Sequence, residues 1–343
     1  MTRILVTGAT GSLGSALVRA LVADGEQVSA MVLPGDRLGG IEPVRRDVQI
    51  RFADVRDAST LAAAFHGIEI VYHVAGVAVT LNRLRRQMLA VNVDGARNVA
   101  EAAARAGVRR LVHTSSISAV GYPPDGEIAD EGFDMSRSVC TNSYAETKTI
   151  GERALLEIAE RRGLEAVVVN PSAVIAPYSD LRYGWAGFVQ MARRGVLRVY
   201  PPGGVALCGI NDLVTGFRAA ASRGRPGERY ILSTRNISYQ DLFGLVCQMA
   251  DVAPPRLGVS AGLVRTAGRA GWLASMLYRN PYRNPYRSPF LVPENAELSV
   301  HHLYYSSEKA QRELGFVPTS IESSILQVQA WLSGGEIHES TTV

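Results

Sequence analysis

Three cysteines in 343 residues, at positions 140, 208 and 247, are too few and too far apart for a disulfide framework, and their number is odd. No C-x-x-C pair is present, so no metal site is expected. The thiols read as small buried side chains of a protein from a reducing, cytoplasmic compartment. Charge of one sign is also scarce. The 36 Lys and Arg against 32 Asp and Glu leave only +4, and the basic residues are spread along the chain. The pI of 9.0 therefore comes without the clustered patch that nucleic acid requires, and no nucleic-acid partner is expected. Long apolar runs are missing too. The most apolar-leaning tract, 257–277, is broken by Arg265 and Arg269, so no integral membrane span is expected. Its amphipathic spacing, with Trp272 and Leu277, reads as a packed helix. The opening "MTRILVTGAT" is interrupted by glycines too soon for a secretory signal.

What is present is rhythm. Short β-branched runs at 3–7, 27–32, 48–52, 69–74, 110–115 and 166–170 alternate with alanine-rich helical stretches at 12–24, 59–67, 87–107 and 143–163. Nearly continuous apolar strands separated by helices mean a parallel sheet covered on both faces. Right-handed crossovers then give an α/β, doubly wound fold that receives ligands outside the carboxyl ends of its strands.

"VTGATGSLGSAL" (6–17) starts on the first strand and opens the first helix. Its glycines, Gly8, Gly11 and Gly14, are spaced G-x-x-G-x-x-G. Gly8 allows the tight turn, Gly11 lets backbone amides approach a pyrophosphate, and Gly14 lets the helix pack closely. The unpaired amides and partial positive charge of a helix start favour phosphate. Residues 1–170 thus read as an NAD(P)-binding Rossmann domain to which a late strand, 227–234, returns. Residues 171–330 read as a less regular substrate-binding region, and 331–343 as a polar tail. Within the second region, 171–185 reads as loop, 239–252 as a helix, and 306–316 as a capped helix ending at Gly315. "YRNPYRNPYRSP" (278–289) has a proline every fourth residue, which forbids helix and favours a surface loop.

Tyr144 and Lys148 stand four apart at a helix start and so share one face. A free phenol holds its proton too tightly for two-way transfer at neutral pH, and a neighbouring ammonium lowers that affinity. The adjacent Ser115 and Ser116 offer a hydroxyl for a substrate oxygen. His73 and His113 read as core or cofactor-edge histidines, and Glu146 and Glu152 as solvated helix-face charges. Asp130 and Glu131 lie in the loop before the tyrosine helix, in a position to cap or close the site.

Several stretches, in order over about 1–180, make the chain resemble the short-chain dehydrogenase/reductase superfamily in its extended form. They are the glycine loop, "FADVRD" (52–57), "HVAG" (73–76), "VNVDGARNV" (91–99), "VHTSSISAVG" (112–121), "YAETK" (144–148) and "NPSAVIAP" (170–177). "AMVLPGD", "HTSS" and "SSEKAQRELGF" lean toward its dihydroflavonol-reductase-like and 3β-hydroxysteroid-dehydrogenase-like branch. The resemblance implies Tyr144, Lys148 and Ser116 as catalytic residues, Ser116 being preferred over Ser115. It implies cofactor contacts from Gly8, Thr10, Gly11, Ser12, Leu13, Gly14, Leu33, Asp54, Val55, Val74, Ala75, Gly76, Asn92, Thr114, Pro171, Ala173 and Val174, besides Tyr144 and Lys148. The chain departs from the pattern at Asn170, where relatives usually carry Arg, and at Ala176, where many carry Gly.

The cofactor is NAD or NADP. Strand two ends "AMVLPGDR" (30–37), with Val32 and Leu33 where relatives carry the discriminating Asp or Arg. Asp36 is available to a ribose hydroxyl, and Arg37 or Arg3 to a phosphate. The lack of an acid at the strand end leans the choice to NADP. The resemblance implies interconversion of a ketone and a secondary alcohol on a small-molecule substrate. It is expected to be apolar because "PYSDLRYGWAGF" (177–188) is rich in aromatics and glycine. Alternatives are a nucleotide-sugar epimerase or dehydratase with retained NAD, using Arg182, Arg193, Arg194 or Arg198 at the diphosphate, and a non-catalytic NAD(P)-sensing protein. A homodimer is implied as well.

Overall fold

The structure is a computed structural model that describes residues 1–179, 181, 184–277 and 292–334. The Tyr-Arg-Asn/Ser-Pro repeat, Arg182 and the last nine residues lie outside the described residues. Seven parallel strands form the main sheet: β1 (Arg3–Thr7), β2 (Gln27–Val32), β3 (Val48–Phe52), β4 (Ile70–His73), β5 (Arg110–Thr114), β6 (Glu165–Pro171) and β7 (Arg229–Leu232). Their order is β7-β6-β5-β4-β1-β2-β3. The chain runs outward from β1 to β3, then returns past β1 to build β4 to β7. That reversal leaves a crevice at the carboxyl ends of β1 and β4, where doubly wound sheets bind ligands.

Strand alternation feeds two cores. Ile4, Val6, Ala30, Tyr72, Val112 and Val167 face α1 (Ser12–Ala23) and Phe217 of a later helix, Ile210–Arg223. Leu5, Met31, Val71, Leu111 and Ala166 face the opposite side. There they meet α2 (Ala58–Phe65), α3 (Gly95–Arg105) and α4 (Ser143–Arg162). Burial of apolar surface on both faces is the main term holding such a sandwich together. The expected helix at 87–107 is a rod in three parts. A single π-helical turn, Leu89–Asp94, sits between Arg85–Met88 and α3. The wider turn presents Asn92 inward, a use common for π-turns at functional sites.

Helix α4 carries Tyr144 and Lys148. Asn142 caps it by accepting from the Ala145 amide at 2.9 Å, and Gly163 ends it in the left-handed region at φ 67°. Glycine at 151 is required by packing, because a Cβ there would lie 2.0 Å from the Asn92 carbonyl oxygen.

The reading of 171–185 as loop misses a strand. Ala173–Ile175 pairs in parallel with Gly204–Gly209, the centre of a second, five-stranded sheet. Arg235–Ser238, His302–Tyr305 and Ile128–Ala129 complete that sheet. The described aromatics of 177–188 are spent on packing, Tyr178 against Trp331 at 5.7 Å. Trp185 and Phe188 cluster with Tyr239 and Phe243, the last two rings' contacts with Phe188 and Trp185 running between 5.3 and 6.3 Å. Among the described residues no helix is long and apolar enough to cross a membrane.

Gly151→Ala is expected to push α4 away from the π-turn and to cost about 1–3 kcal/mol, as overpacked cores do. Thermal unfolding checks this; an unchanged midpoint contradicts it.

Candidate active site

The glycine loop leaves β1 with Gly8 at φ 64°, and the Gly11 amide donates to the Gly8 carbonyl at 3.1 Å. A Cβ on Gly14 would lie 2.1 Å from that carbonyl oxygen, and one on Gly8 would lie 2.8 Å from the Ala75 backbone. At Gly11 the nearest atom is 3.4 Å away. Two of the three glycines are therefore demanded by the chain itself, while the third leaves the helix start open. Gly11 is the N-cap of α1 and no side chain caps it. The first amides, at Ser12 and Leu13, lie on the helix start where intrahelical partners are lacking. This cradle fits a pyrophosphate.

Around it the other expected contacts assemble. Thr7 Oγ1 accepts from the Val74 and Ala75 amides at 3.1 Å each, which fixes the "HVAG" turn at Gly76. Its own proton is left for His73 Nδ1, 2.9 Å away, so His73 is a neutral ring protonated on Nε2. Burial pushes His73 down to about 3, with the Lys148 charge adding to it. His113 stacks on His73 at 5.2 Å and is likewise driven well down by burial, His73 and Lys148. At the adenosine end, the Asp54 carboxylate is gripped by the Arg56 guanidinium, which lowers its pKa, and Val55 packs below Gly95. Leu33 is half exposed at the end of β2. Thr10 Oγ1 donates to Asp36 Oδ2 at 3.0 Å, which holds this carboxylate against the glycine loop. Arg3 is no phosphate partner: it lies at the amino end of β1, paired with Glu69 at 3.1 Å.

The catalytic candidates converge at the carboxyl end of β5. The Ser116 hydroxyl is a near neighbour of the Tyr144 phenol, and its Oγ accepts from the Ser118 amide at 3.1 Å. The Ser115 hydroxyl is buried without a partner among the described residues. Lys148 Nζ donates to the Thr114 carbonyl at 2.9 Å. The Asn92 side chain accepts from the Val77 amide at 2.8 Å and donates toward Thr147. A Cβ on Gly76 would lie 3.2 Å from Lys148 Nζ and 3.3 Å from Asn92 Oδ1, so the three meet at one point. Pro171 ends β6, and half-buried Ala173 and Val174 follow it. The lowered phenol expected beside Lys148 is not what the chain alone produces. Burial raises Tyr144, and the neighbouring Ser116 hydroxyl opposes the rise. Burial also lowers Lys148 to about 8, against the pull of Glu152.

Glu152 overturns its reading as a solvated helix-face charge. It is 1% exposed, ion-paired with Arg229 from β7, and it accepts from Asn170 Nδ2 at 3.1 Å. Asn170 also donates to the Ser116 carbonyl at 2.9 Å. The sequence offers one signal for this, the Asn where relatives carry Arg, but nothing that points to Arg229. Glu146 does sit outside, paired with Arg85. Asp130 and Glu131 do not close the site. Asp130 accepts from the Gly132 amide, and Glu131 accepts from the Ile231 amide at 2.8 Å, covering the edge of β7. Arg193 turns to Ser333 on the C-terminal helix rather than to a ligand crevice. A cleft of about 970 Å³ forms a separate polar groove along that edge, between residues 128–132 and 305–312. It contains charges of both signs and none of the catalytic candidates.

Residues 4–232 match the model of the NAD dependent epimerase/dehydratase family. The chain is 31% identical to sterol demethylase protein B of Methylococcus capsulatus, covering 95% of this chain and 97% of that one. It is 27% identical to a 3 beta-hydroxysteroid dehydrogenase/Delta 5→4-isomerase of Mycobacterium tuberculosis, covering 92% and 86%. The crystal structure of gox2253 superposes with a TM-score of 0.81 at 30% identity, covering 97% and 98%. With its parallel sheet and a glycine loop that fits a dinucleotide, the chain belongs to the NAD(P)-binding epimerase/dehydratase family of extended short-chain dehydrogenases/reductases.

Proposed function

We propose that the protein reduces a ketone on an apolar small molecule to a secondary alcohol, with Tyr144 as the proton donor. What carries this reading is the convergence, at the carboxyl end of β5, of Ser116, the half-buried Tyr144 beside it and, one turn on, Lys148, whose Nζ donates to the Thr114 carbonyl. NAD(P)H supplies the hydride when bound. Residues 8–14 hold its pyrophosphate, and Asp54 and Val55 its adenine. Val74, Ala75, Gly76, Asn92, Thr114, Lys148, Pro171, Ala173 and Val174 surround its nicotinamide half. The tether of Asp36 to Thr10 turns our reading from the NADP expected of the strand end toward NAD, because a carboxylate held there would accept from ribose hydroxyls and repel a 2′-phosphate.

The proton chemistry follows from the burial of the pair. A raised phenol stays protonated until the carbonyl oxygen gains negative charge, and it then donates at short range. Ser116 supplies a second donor to the same oxygen. Lys148 keeps a positive charge beside the site and steadies the phenolate left behind. The names of two relatives, one a sterol protein and one a steroid dehydrogenase, favour a bulky apolar substrate. A homodimer belongs to the same reading.

Gly11→Ala is expected to fold normally yet to lose the thermal stabilisation that NADH or NADPH gives the wild type, since the methyl stands over the open amides. The larger shift is expected with NADH, and a shift retained in the variant contradicts the cradle. With a panel of steroid and aryl ketones, Tyr144→Phe is expected to keep dinucleotide binding and lose turnover by about 10²–10⁴-fold. Full turnover in that variant contradicts the mechanism. Activity that needs no added dinucleotide favours an epimerase instead. For the wild type, kcat/KM is expected to fall as pH rises through about 8, where Lys148 sheds its proton. A profile flat from 7 to 10 contradicts that role.

A further inference from the structure

Tyr144, Lys148 and Glu152 follow one another at four-residue steps along α4, and all three turn toward the sheet. Among the described residues Glu152 is the acid that acts on Lys148, and the other groups named here as facing the ammonium carry no negative charge. From β4 and β5 come the neutral rings of His73 and His113; from the π-turn comes the Asn92 amide; from β5 comes the Thr114 carbonyl. Glu152 is itself faced by Arg229 of β7 and Asn170 of β6. Asn170 extends the chain of contacts, because its Nδ2 also reaches the backbone of Ser116. Its Oδ1 is buried without a partner among the described residues.

Resting on the reading of Tyr144, Lys148 and Ser116 just given, we propose that Glu152 is a positioning residue of this site. Held by Arg229 and Asn170, it keeps Lys148 charged and ties the Ser116 backbone to the tyrosine helix. An ammonium lifted out of water loses its proton more easily, and a buried carboxylate one turn away restores part of the lost affinity. Arg229 opposes this in two ways: it neutralises the carboxylate and adds a second positive charge to the same layer. The two partners therefore act on Lys148 with opposite signs. Substitution of each alone gives opposite shifts, which a scaffold role does not.

The test begins with wild-type protein that reduces a ketone, and with Tyr144→Phe inactive, so that failure here is not failure of the parent reading. Glu152→Gln keeps the shape and removes the charge. Its kcat is expected to fall about tenfold or more at pH 8, and the upper limb of its kcat/KM profile to move down by about one pH unit. NAD(P)H affinity, read by nucleotide fluorescence, is expected to stay within about threefold of wild type. Arg229→Gln, at a side chain 30% exposed, is expected to fold even where Glu152→Gln does not, and to move the same limb upward. A uniform loss of activity with both limbs unmoved overturns the proposal, as does an Arg229→Gln limb that stays in place or moves down.

Discussion

Removing the Lys148 ammonium from water, to 5% exposure, imposes conditions on everything near it. A charge so placed either finds compensation or gives up its proton, and its pull on neighbouring bases is stronger than in solvent. The surroundings answer each condition. The Thr114 carbonyl takes one N–H, Glu152 supplies the negative field, and His73 and His113 are kept neutral. The layer between α4 and the sheet is thus polar where the rest of that face is apolar. His113, Thr114, Ser115, Asn170 and Ser172 leave buried polar atoms unpaired there among the described residues. An incompletely satisfied polar layer is costly in a mere scaffold and common where chemistry is done.

Close backbone approach is the second constraint, and it brings the two halves of the site together. The first helix can start against the glycine loop only because Gly14 lacks a side chain. The "HVAG" turn can touch Gly8 for the same reason. On the other side, Gly151 lets α4 settle on the π-turn and places Lys148, Asn92 and Gly76 at one point. The glycine loop and the Tyr144–Lys148 pair lie more than a hundred residues apart in sequence, and these contacts fix their separation.

Much of this was legible in the chain because its signals are local. Nearly continuous apolar strands between helical stretches specified a parallel sheet covered on both faces, and the four-residue spacing of Tyr144 and Lys148 put them on one face whatever lay beyond. What escaped depends on pairings that spacing does not encode. Arg229 meets Glu152 across 77 residues, and a Glu in a helix otherwise full of charge reads as solvated until its partner is known. Ala173–Ile175 is too short to stand out from its loop, and it becomes a strand only by pairing with Gly204–Gly209. The aromatics of 177–188 announced apolar contact correctly, but composition could not distinguish a packed cluster from a substrate wall. Arg3 lay near the glycine loop in sequence, yet a strand separates its two ends by its full length.

The claim on which the account rests is that Tyr144 serves a hydride transfer to carbon. The most direct measurement is the fate of deuterium carried on the reactive face of C4 of the reduced dinucleotide, followed by mass spectrometry of the product of a ketone substrate. The account expects one deuterium on the carbinol carbon per turnover, and labelled alcohol formed about 10²–10⁴-fold more slowly with Tyr144→Phe. Product alcohol free of deuterium, or label lost to water while turnover continues, would contradict it.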